Sequence, residues 1–135
     1  ALMDIGIHLN FPRTCKEAFK TYADLFEGQL KLFTTGGSPS SQNVPEEWQG
    51  KIVHGNLKIE GMEIAGCDLI PSQFKPPQGF SILVELKEID RVRKIFSALS
   101  QDGTAIMEPQ KTFWSLCHSV VTDKWGITWE VYSEA

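Results

Sequence analysis

The sequence lacks a hydrophobic run long enough to cross a membrane. No apolar stretch in its 135 residues approaches the roughly 18 residues that a membrane-spanning helix requires. Residues 1–8 contain neither a basic segment nor a long apolar core, so they do not have the pattern of a secretory signal. We therefore expect no membrane partner and no export of the chain.

Positive charge is also scarce. The chain has 13 Lys and Arg residues against 17 Asp and Glu residues, and its formal net charge is −4. The densest basic group, residues 87–94, is interrupted by Glu88 and Asp90, which is typical of a solvated helix face. Proteins that bind nucleic acid gather positive charge to neutralise phosphates. We therefore expect no nucleic-acid partner.

Cysteine is infrequent, and its number is odd. The three residues, Cys15, Cys67 and Cys117, do not have the spacing of a zinc knuckle. Unpaired thiols persist in reducing compartments, whereas secreted proteins oxidise them to disulfides. We interpret the three as reduced thiols, with Cys117 as an inert buried one, and expect the protein to be cytoplasmic.

The composition that remains is that of an ordinary globular domain. Hydrophobic residues make up 41% of the chain and charged residues 22%, which is unlike a disordered protein. A chain of this length buries roughly two-thirds of its unfolded surface in a single domain. We predict one domain over residues 1–135.

The first half of the chain follows the order strand, helix and three strands. Residues 4–11 alternate between apolar and polar, which predicts a strand. Thr14 begins a helix with the capping-box sequence TCKE, and Gly28 is its expected stop. The three further strands are predicted at residues 30–34, 52–60 and 62–69. Residues 36–49 form a long loop in which Trp48 is either a lid over an apolar ligand or a core or interface aromatic.

The second half repeats this order. Its strands are predicted at residues 81–86, 104–107, 113–121 and 127–132, and its helical stripe is Val92, Ile95, Phe96 and Leu99. Gly126 lies in the tight turn of the last hairpin, where a positive φ is needed. The helix stops, Gly28 and Gly103, are 75 residues apart. The repeated order predicts two modules, at about residues 4–70 and 80–133.

The last hairpin carries one conspicuous carboxylate. Successive side chains of a strand point to opposite faces, so Glu130 shares a face with Thr128 and Tyr132, opposite Trp129 and its apolar neighbours. On this face Glu130 is either a hydrogen-bond acceptor or general base in a pocket, or a structural carboxylate bonded to a nearby group.

Four stretches of the chain resemble the PhnB-like, glyoxalase-like subgroup of the vicinal oxygen chelate superfamily. They are LNFPRTCKEAFKTY at residues 9–22, VHGNLKIEG at 53–61, QKTFW at 110–114 and VTDKWGITW at 121–129. The resemblance implies an α+β fold in which two βαβββ modules form a cupped mixed sheet. It also implies a homodimer, for which Trp125 at the hairpin tip is a candidate contact. Members of the subgroup have been labelled demethylubiquinone methyltransferases, but this sequence lacks the glycine-rich loop that would hold a nucleotide-type cofactor.

The resemblance also bears on metal binding. Enzymes of the larger superfamily typically hold a divalent metal with four ligands, and their pattern falls near Ile7, Ile70, Phe80 and Glu130 of this chain. Three of these side chains are apolar and have no atom that ligates a metal. A shift of strand register by one residue would offer His8, but it would also turn that side chain to the other face. We expect no metal and no cofactor.

The candidate ligand-pocket residues come from both modules. They are His8, His54, Phe80, Trp114, His118 and Glu130, and no catalytic residue is assigned. The functional hypothesis is a binding module whose apolar, metal-free cup takes a small organic molecule. The alternative is an enzyme, either a metal-dependent lyase, isomerase or dioxygenase that uses Glu130 and the histidines, or one with acid–base chemistry on Glu130. The sequence leaves open whether there is catalysis, and fold analogy does not decide it.

Overall fold

The computed structural model describes residues 3–35 and 46–134. These residues form eight strands, two α-helices and a short 3-10 helix at Glu46–Trp48. In chain order the elements are β1 (Ile7–Phe11), α1 (Cys15–Phe26), β2 (Gln29–Thr34), β3 (Ile52–Ile59), β4 (Met62–Asp68), β5 (Ile82–Glu85), α2 (Ile89–Leu99), β6 (Thr104–Gln110), β7 (Cys117–Thr122) and β8 (Thr128–Ser133). By their contacts they group into two units, up to Lys75 and from Pro76 onward.

The first unit is a four-stranded mixed sheet with one face covered by α1. Its strand order is β1-β4-β3-β2, with β1 parallel to β4 and the other pairs antiparallel. The apolar stripe of α1 packs on β2, β3 and β4. Phe19 of this stripe meets Phe11 of β1 edge to face, with ring centroids 5.8 Å apart. On β1, the opposite face of the sheet carries His8 and Asn10, which are exposed.

The second unit has the same architecture. Its strand order is β5-β8-β7-β6, with β5 parallel to β8. The stripe predicted for α2 is buried against β6, β7 and β8. Side chains that alternate with the open face of β8, among them Trp129 and Val131, complete this core. The predicted α+β fold with two βαβββ modules is confirmed.

Both helices end in a way that differs from the sequence prediction. The left-handed residues are Glu27, with φ 55°, and Asp102, with φ 57°, and each directly precedes the glycine predicted as the stop. A Cβ on Gly28 would lie 2.7 Å from Leu57 Cδ1, and one on Gly103 would collide with the carbonyl oxygen of Thr122. The two glycines therefore allow close packing on a neighbouring strand. Glu27 is the left-handed cap that ends α1, whereas α2 ends at Ser100 in a right-handed conformation and Asp102 lies in the turn beyond it.

The cap predicted from the Thr14 side chain at the start of α1 is wrong. The Thr14 side chain makes no capping hydrogen bond. The free N–H of Cys15 instead donates to Asp68 Oδ1 at 2.9 Å, and the other oxygen of Asp68 accepts a bond from Ile52 N at 2.8 Å. One carboxylate from β4 thus caps the helix and anchors the start of β3.

The first strand of the last hairpin is shorter than predicted. Residues 113–116 lie outside β7, which begins at Cys117. Just before this start, the Ser115 hydroxyl contacts the carbonyl oxygens of Cys117 at 2.9 Å and Ser133 at 2.7 Å, and Ser133 O also accepts a bond from Leu116 N at 2.9 Å. Side-chain and backbone hydrogen bonds are therefore mixed at this point. The strand β6 is correspondingly longer than predicted and has two register shifts. The remaining strands differ from prediction by one to three residues at their ends.

Trp48 is a core residue. It is buried in the 3-10 helix, and the guanidinium of Arg13 lies 4.7 Å from its ring centroid. Of the two interpretations of this side chain, the core aromatic is therefore the one found. The rest of the predicted loop, residues 36–45, lies outside the described residues. Across the parts of the chain that are described, no helix is both long and apolar enough to span a bilayer.

Candidate functional site

The open face of the second sheet positions the candidate site. On β8, Trp129 and Val131 are buried, whereas Thr128, Glu130 and Tyr132 alternate with them on the other face and remain partly exposed. This is the division of faces that the alternation predicted. Strand register places Leu83 of β5 and Val120 of β7 on either side of Glu130, and His118 beside Tyr132.

Glu130 is held by two hydrogen bonds, one to each carboxylate oxygen. The Ser81 hydroxyl donates to Oε2 at 2.5 Å, and His118 Nε2 lies 3.0 Å from Oε1. The bond from Ser81 is the main reason that the pKa of Glu130 lies below its usual 4.5; burial opposes this, and the bond and charge of His118 add to it. The carboxylate is therefore ionised at neutral pH.

The tautomer of His118 follows from its second partner. Trp114 Nε1 lies 3.4 Å from His118 Nδ1, and an indole nitrogen can only donate. In the neutral form of the imidazole Nδ1 must then be the acceptor, and the proton lies on Nε2, from which it is donated to Glu130. The hydrogen bonds thus run in one direction, from Trp114 to His118 and from His118 to Glu130. Ser81 donates to the other oxygen of the carboxylate.

Aromatic rings surround these hydrogen bonds on a surface that is open to solvent. The imidazole of His118 stacks on Tyr132, with ring centroids 5.3 Å apart and planes 20° from parallel. Phe113 meets Trp114 edge to face at 4.5 Å. The Glu130 side chain is 31% exposed, and Trp114 and Leu83 are 51% and 62% exposed. Burial, together with the charges of Glu85, Glu134 and Glu130, raises the pKa of Tyr132, so its phenol stays protonated.

The structure brings together three of the six predicted pocket residues, namely Trp114, His118 and Glu130. Phe80 directly precedes Ser81 and is partly exposed. His8 and His54 belong to the first unit, where His8 Nε2 lies 3.4 Å from Cys67 Sγ and the ring of His54 lies 6.0 Å from that of Phe33.

Sequence reasoning missed two members of the site, Ser81 and Tyr132. Ser81 stood at the start of a predicted strand, and the parallel pairing of β5 with β8 brings it to Glu130. Knowledge of the parallel register between β5 and β8 would have indicated that Ser81 lies close to Glu130. Tyr132 was placed on the correct face, but its stacking on His118 depends on the antiparallel register of β7 and β8.

A metal of the superfamily type does not fit these residues. Of the four positions expected to correspond to its ligands, Ile7, Ile70 and Phe80 are apolar and Glu130 is already bonded to Ser81 and His118. Among residues 3–35 and 46–134, no three side chains of the His, Cys, Asp and Glu types are grouped so that they could hold a metal ion.

Two βαβββ modules, each with a parallel pair at one end of a mixed sheet, are the arrangement of the glyoxalase-like fold. Residues 3–132 match the profile described as 3-demethylubiquinone-9 3-methyltransferase. The chain therefore belongs to this PhnB-like family, as its sequence resemblance indicated.

Bacterial relatives agree with this assignment. The chain is 27% identical to protein YjdN of Escherichia coli strain K12, over 96% of this chain and 94% of that protein. Its structure is similar to that of protein PA1353 from Pseudomonas aeruginosa, with a TM-score of 0.89 and 28% identity over 98% of each chain. A Bacillus cereus PhnB protein, described as a putative 3-demethylubiquinone-9 3-methyltransferase, has the same fold, with a TM-score of 0.82 and 20% identity over 97% of this chain and 99% of that one.

Proposed function

We propose that the open face of the second sheet binds a small organic molecule without a metal, and that Glu130 accepts a hydrogen bond from it. The observation that carries this proposal is an ionised, partly exposed carboxylate fixed among aromatic side chains. A carboxylate has about four acceptor positions, and Ser81 and His118 occupy two of them. The remaining positions are available to a donor on the ligand.

The charges and rings of this face favour a ligand with an apolar body and an N–H or cationic group. Glu85 is the register partner of Tyr132, so a second carboxylate lies on the same face as Glu130. An anionic ligand would be repelled by both, whereas a cation gains from the carboxylates and from the faces of Trp114 and Tyr132. The exposed side chain of Leu83 supplies apolar contact beside Glu130.

Catalysis by Glu130 as a general base is the second candidate and is less well supported. A carboxylate whose pKa is lowered is a poor base at neutral pH, where a base works best with a pKa close to the working pH. His118 and Glu130 are paired like a histidine base and the carboxylate that orients it. Both imidazole nitrogens are already bonded, however, Nδ1 to Trp114 and Nε2 to Glu130. The methyltransferase description of the family is not proposed as the activity of this chain, because the sequence has no glycine-rich nucleotide loop.

The binding experiment compares one aromatic scaffold carrying an amine, a neutral amide or a carboxylate. Isothermal titration with each compound is run on the wild type, on Glu130→Gln and on Glu85→Gln as the matched control on the same face. We expect the amine to bind best, and Glu130→Gln to weaken its binding by about tenfold, the loss of roughly 1.4 kcal/mol for one charge-assisted bond. Glu85→Gln should weaken it by less.

Equal binding of the amine by the wild type and Glu130→Gln would contradict the proposal. Chemical conversion of the bound compound, detected by mass spectrometry, would favour the enzyme alternative. So would a stoichiometric metal in the purified protein that is lost on Glu130→Gln.

We further propose that the protein is a cytoplasmic homodimer. The dimer is supported by the family resemblance and by large apolar side chains that are exposed in the single chain, of which Phe113 is 97% exposed. Trp125, with the Lys124 ammonium 4.8 Å from its ring, remains the candidate contact at the hairpin tip. The cytoplasm is supported by Cys15, Cys67 and Cys117, all free thiols, and cell fractionation tests it.

A further inference from the structure

The hydrogen bond between Trp114 and His118 depends on the protonation state of the imidazole. Trp114 Nε1 donates to His118 Nδ1 at 3.4 Å, and the two rings meet edge to face with centroids 5.8 Å apart. An indole nitrogen can only donate, so this bond exists only while Nδ1 carries no proton. Imidazole is the side chain that ordinarily gains a proton between about pH 8 and pH 5. A change of pH in this range therefore acts on the bond directly.

Protonation changes both sides of the His118 ring. An imidazolium has an N–H group on each nitrogen, so on the side of Trp114 two donors would face each other and the bond is lost. On the other side, Nε2 lies 3.0 Å from Glu130 Oε1, and the hydrogen bond there becomes an ion pair. The His118 side chain is only 9% exposed, so this carboxylate takes the place of water as the partner of the new charge.

Two titratable side chains of β8 face His118. Glu130 is hydrogen-bonded to it, and Tyr132 stacks on its ring. The bond from Ser81 is the main cause that lowers the pKa of Glu130, and burial is the main cause that raises the pKa of Tyr132. The carboxylate therefore keeps its charge near neutral pH and the phenol keeps its proton. Glu85 lies one strand further away, as the register partner of Tyr132.

Strand β6 and helix α2 also pack on β7. The register partner of His118 on β6 is Gln110, which has no charge. Glu108, two residues before Gln110, and Lys111, directly after it, are both exposed. Helix α2 contacts β7 through its buried apolar stripe. We therefore assign the response of this part of the face to pH near neutrality to His118.

Trp114 lies on a segment from which its side chain can be released. Residues 113–116 are outside the ladder of β7, and Trp114 is 51% exposed. Its ring also meets that of Phe113, which is itself 97% exposed. The backbone bond from Leu116 N to Ser133 O holds the end of the segment on the sheet. The indole can therefore turn toward solvent while the strands stay paired.

We propose that His118 is a pH switch for this face. In its neutral state Trp114 is held against the imidazole and the charge of Glu130 is available to a ligand. In its protonated state Trp114 is released and the charge of Glu130 is paired with the imidazolium. A cationic ligand is then bound near neutral pH and released on acidification, a consequence that rests on the proposed function. The release of Trp114 itself requires no ligand.

NMR measures the release of Trp114 in the protein without ligand. The indole N–H signal of Trp114, assigned by its loss in Trp114→Phe, is followed from about pH 8 to pH 5. We expect it to shift in one step, together with the ring signals of His118, because the N–H loses its acceptor. The step should be absent in His118→Gln. The matched control is His54→Gln, an exposed histidine of the first unit, which should keep the step.

The midpoint of the titration gives a second readout. The bond from Trp114 stabilises the neutral imidazole, so the ring signals of His118 should change at higher pH in Trp114→Phe than in the wild type. Trp125→Phe, the matched control in the same unit, should leave the midpoint unchanged. A constant indole signal while His118 takes up a proton would overturn the switch. So would His118 signals that do not change over the range, or an unchanged midpoint in Trp114→Phe.

Calorimetric titration with phenethylamine separates the switch from the proposed function. The ammonium group of this compound stays protonated over the range, so a change in affinity comes from the protein. We expect binding to weaken by about tenfold from the neutral to the acid end, as in Glu130→Gln, because the charge of Glu130 is lost to the ligand in both cases. His118→Gln should remove this dependence on pH.

The two ideas fail in different ways. Binding of phenethylamine with equal affinity at both ends of the range would overturn the switch and support the proposed function. A step in the indole signal of Trp114 without binding at any pH would support the switch and contradict the proposed function.

Discussion

The Ser81 hydroxyl is the group that most strongly lowers the pKa of Glu130, and it comes from a strand start that the sequence did not connect with the site. A carboxyl whose pKa is lower in the folded chain than in the unfolded one contributes stability above its ordinary pKa of 4.5. That contribution is lost as the pH falls through the folded-state value. Ser81 therefore links the geometry of the site to a pH-dependent stability.

Replacing this hydroxyl should have an effect that depends on pH. We expect Ser81→Ala to lower the free energy of unfolding by about 1 kcal/mol near neutral pH, less than a buried charge-assisted bond because Glu130 is partly exposed. The difference from the wild type should narrow below pH 4.5 as Glu130 is protonated. Urea unfolding across a pH series measures it.

The control for this prediction is Ser97→Ala, on the exposed face of α2. Its effect should be small and independent of pH, because the Ser97 side chain is exposed and is not one of the hydrogen-bond partners of Glu130, which are Ser81 and His118. A loss in Ser81→Ala that stays constant across the series would show that the hydroxyl acts through packing rather than through the carboxylate.

At the scale of the element, the start of α1 shows how a local sequence rule gives way to a tertiary contact. The TCKE sequence matches the pattern of a capping box. The backbone N–H of Cys15 is nevertheless capped by the carboxylate of Asp68, which lies 53 residues away in the sequence. A capping box is read from four consecutive residues, whereas the Asp68 contact requires the parallel pairing of β1 with β4. That pairing is not visible in the local sequence.

A pair of substitutions separates the two caps. Asp68→Ala leaves the buried N–H groups of Cys15 and Ile52 without an acceptor and should lower the free energy of unfolding by about 2–3 kcal/mol. Thr14→Ala should cost less than about 0.5 kcal/mol, the usual range for a surface change. Chemical denaturation of both variants measures this. If Thr14→Ala lowered the free energy of unfolding by about 1 kcal/mol and Asp68→Ala lowered it by less, the capping-box prediction would be supported instead.

At the scale of the whole molecule, the order of elements could be predicted because helix and strand periodicity are local properties. The repeat of strand, helix and three strands, and the placement of Glu130 opposite Trp129, depend only on alternation along the chain. The members of the candidate site could not all be predicted. Ser81 and Glu130 are 49 residues apart and meet only through the register of β5 and β8.

The same limit applies to the first strand of the last hairpin. Alternation alone predicted that this strand begins at Phe113, whereas β7 begins at Cys117, and the Ser115 hydroxyl contacts two carbonyl oxygens just before that start. As a result Trp114 leaves the strand and reaches His118 with its indole nitrogen. The irregular segment at residues 113–116 was not predicted from the sequence, and it carries the indole that determines the tautomer of His118.

Exposed aromatic side chains bear on the assembly of the chain. We expect the wild type to sediment as a dimer, and Phe113→Ser to weaken the dimer by at least about tenfold, because burial of an aromatic side chain contributes about 1.5–3 kcal/mol. Phe113 is 97% exposed in the single chain, so this substitution costs the monomer little. The matched control is Phe33→Ser, an exposed aromatic of the first unit. Analytical ultracentrifugation over a range of concentrations measures the monomer–dimer equilibrium of each variant. Dissociation by Phe33→Ser alone would place the contact in the first unit. A monomeric wild type would contradict the homodimer.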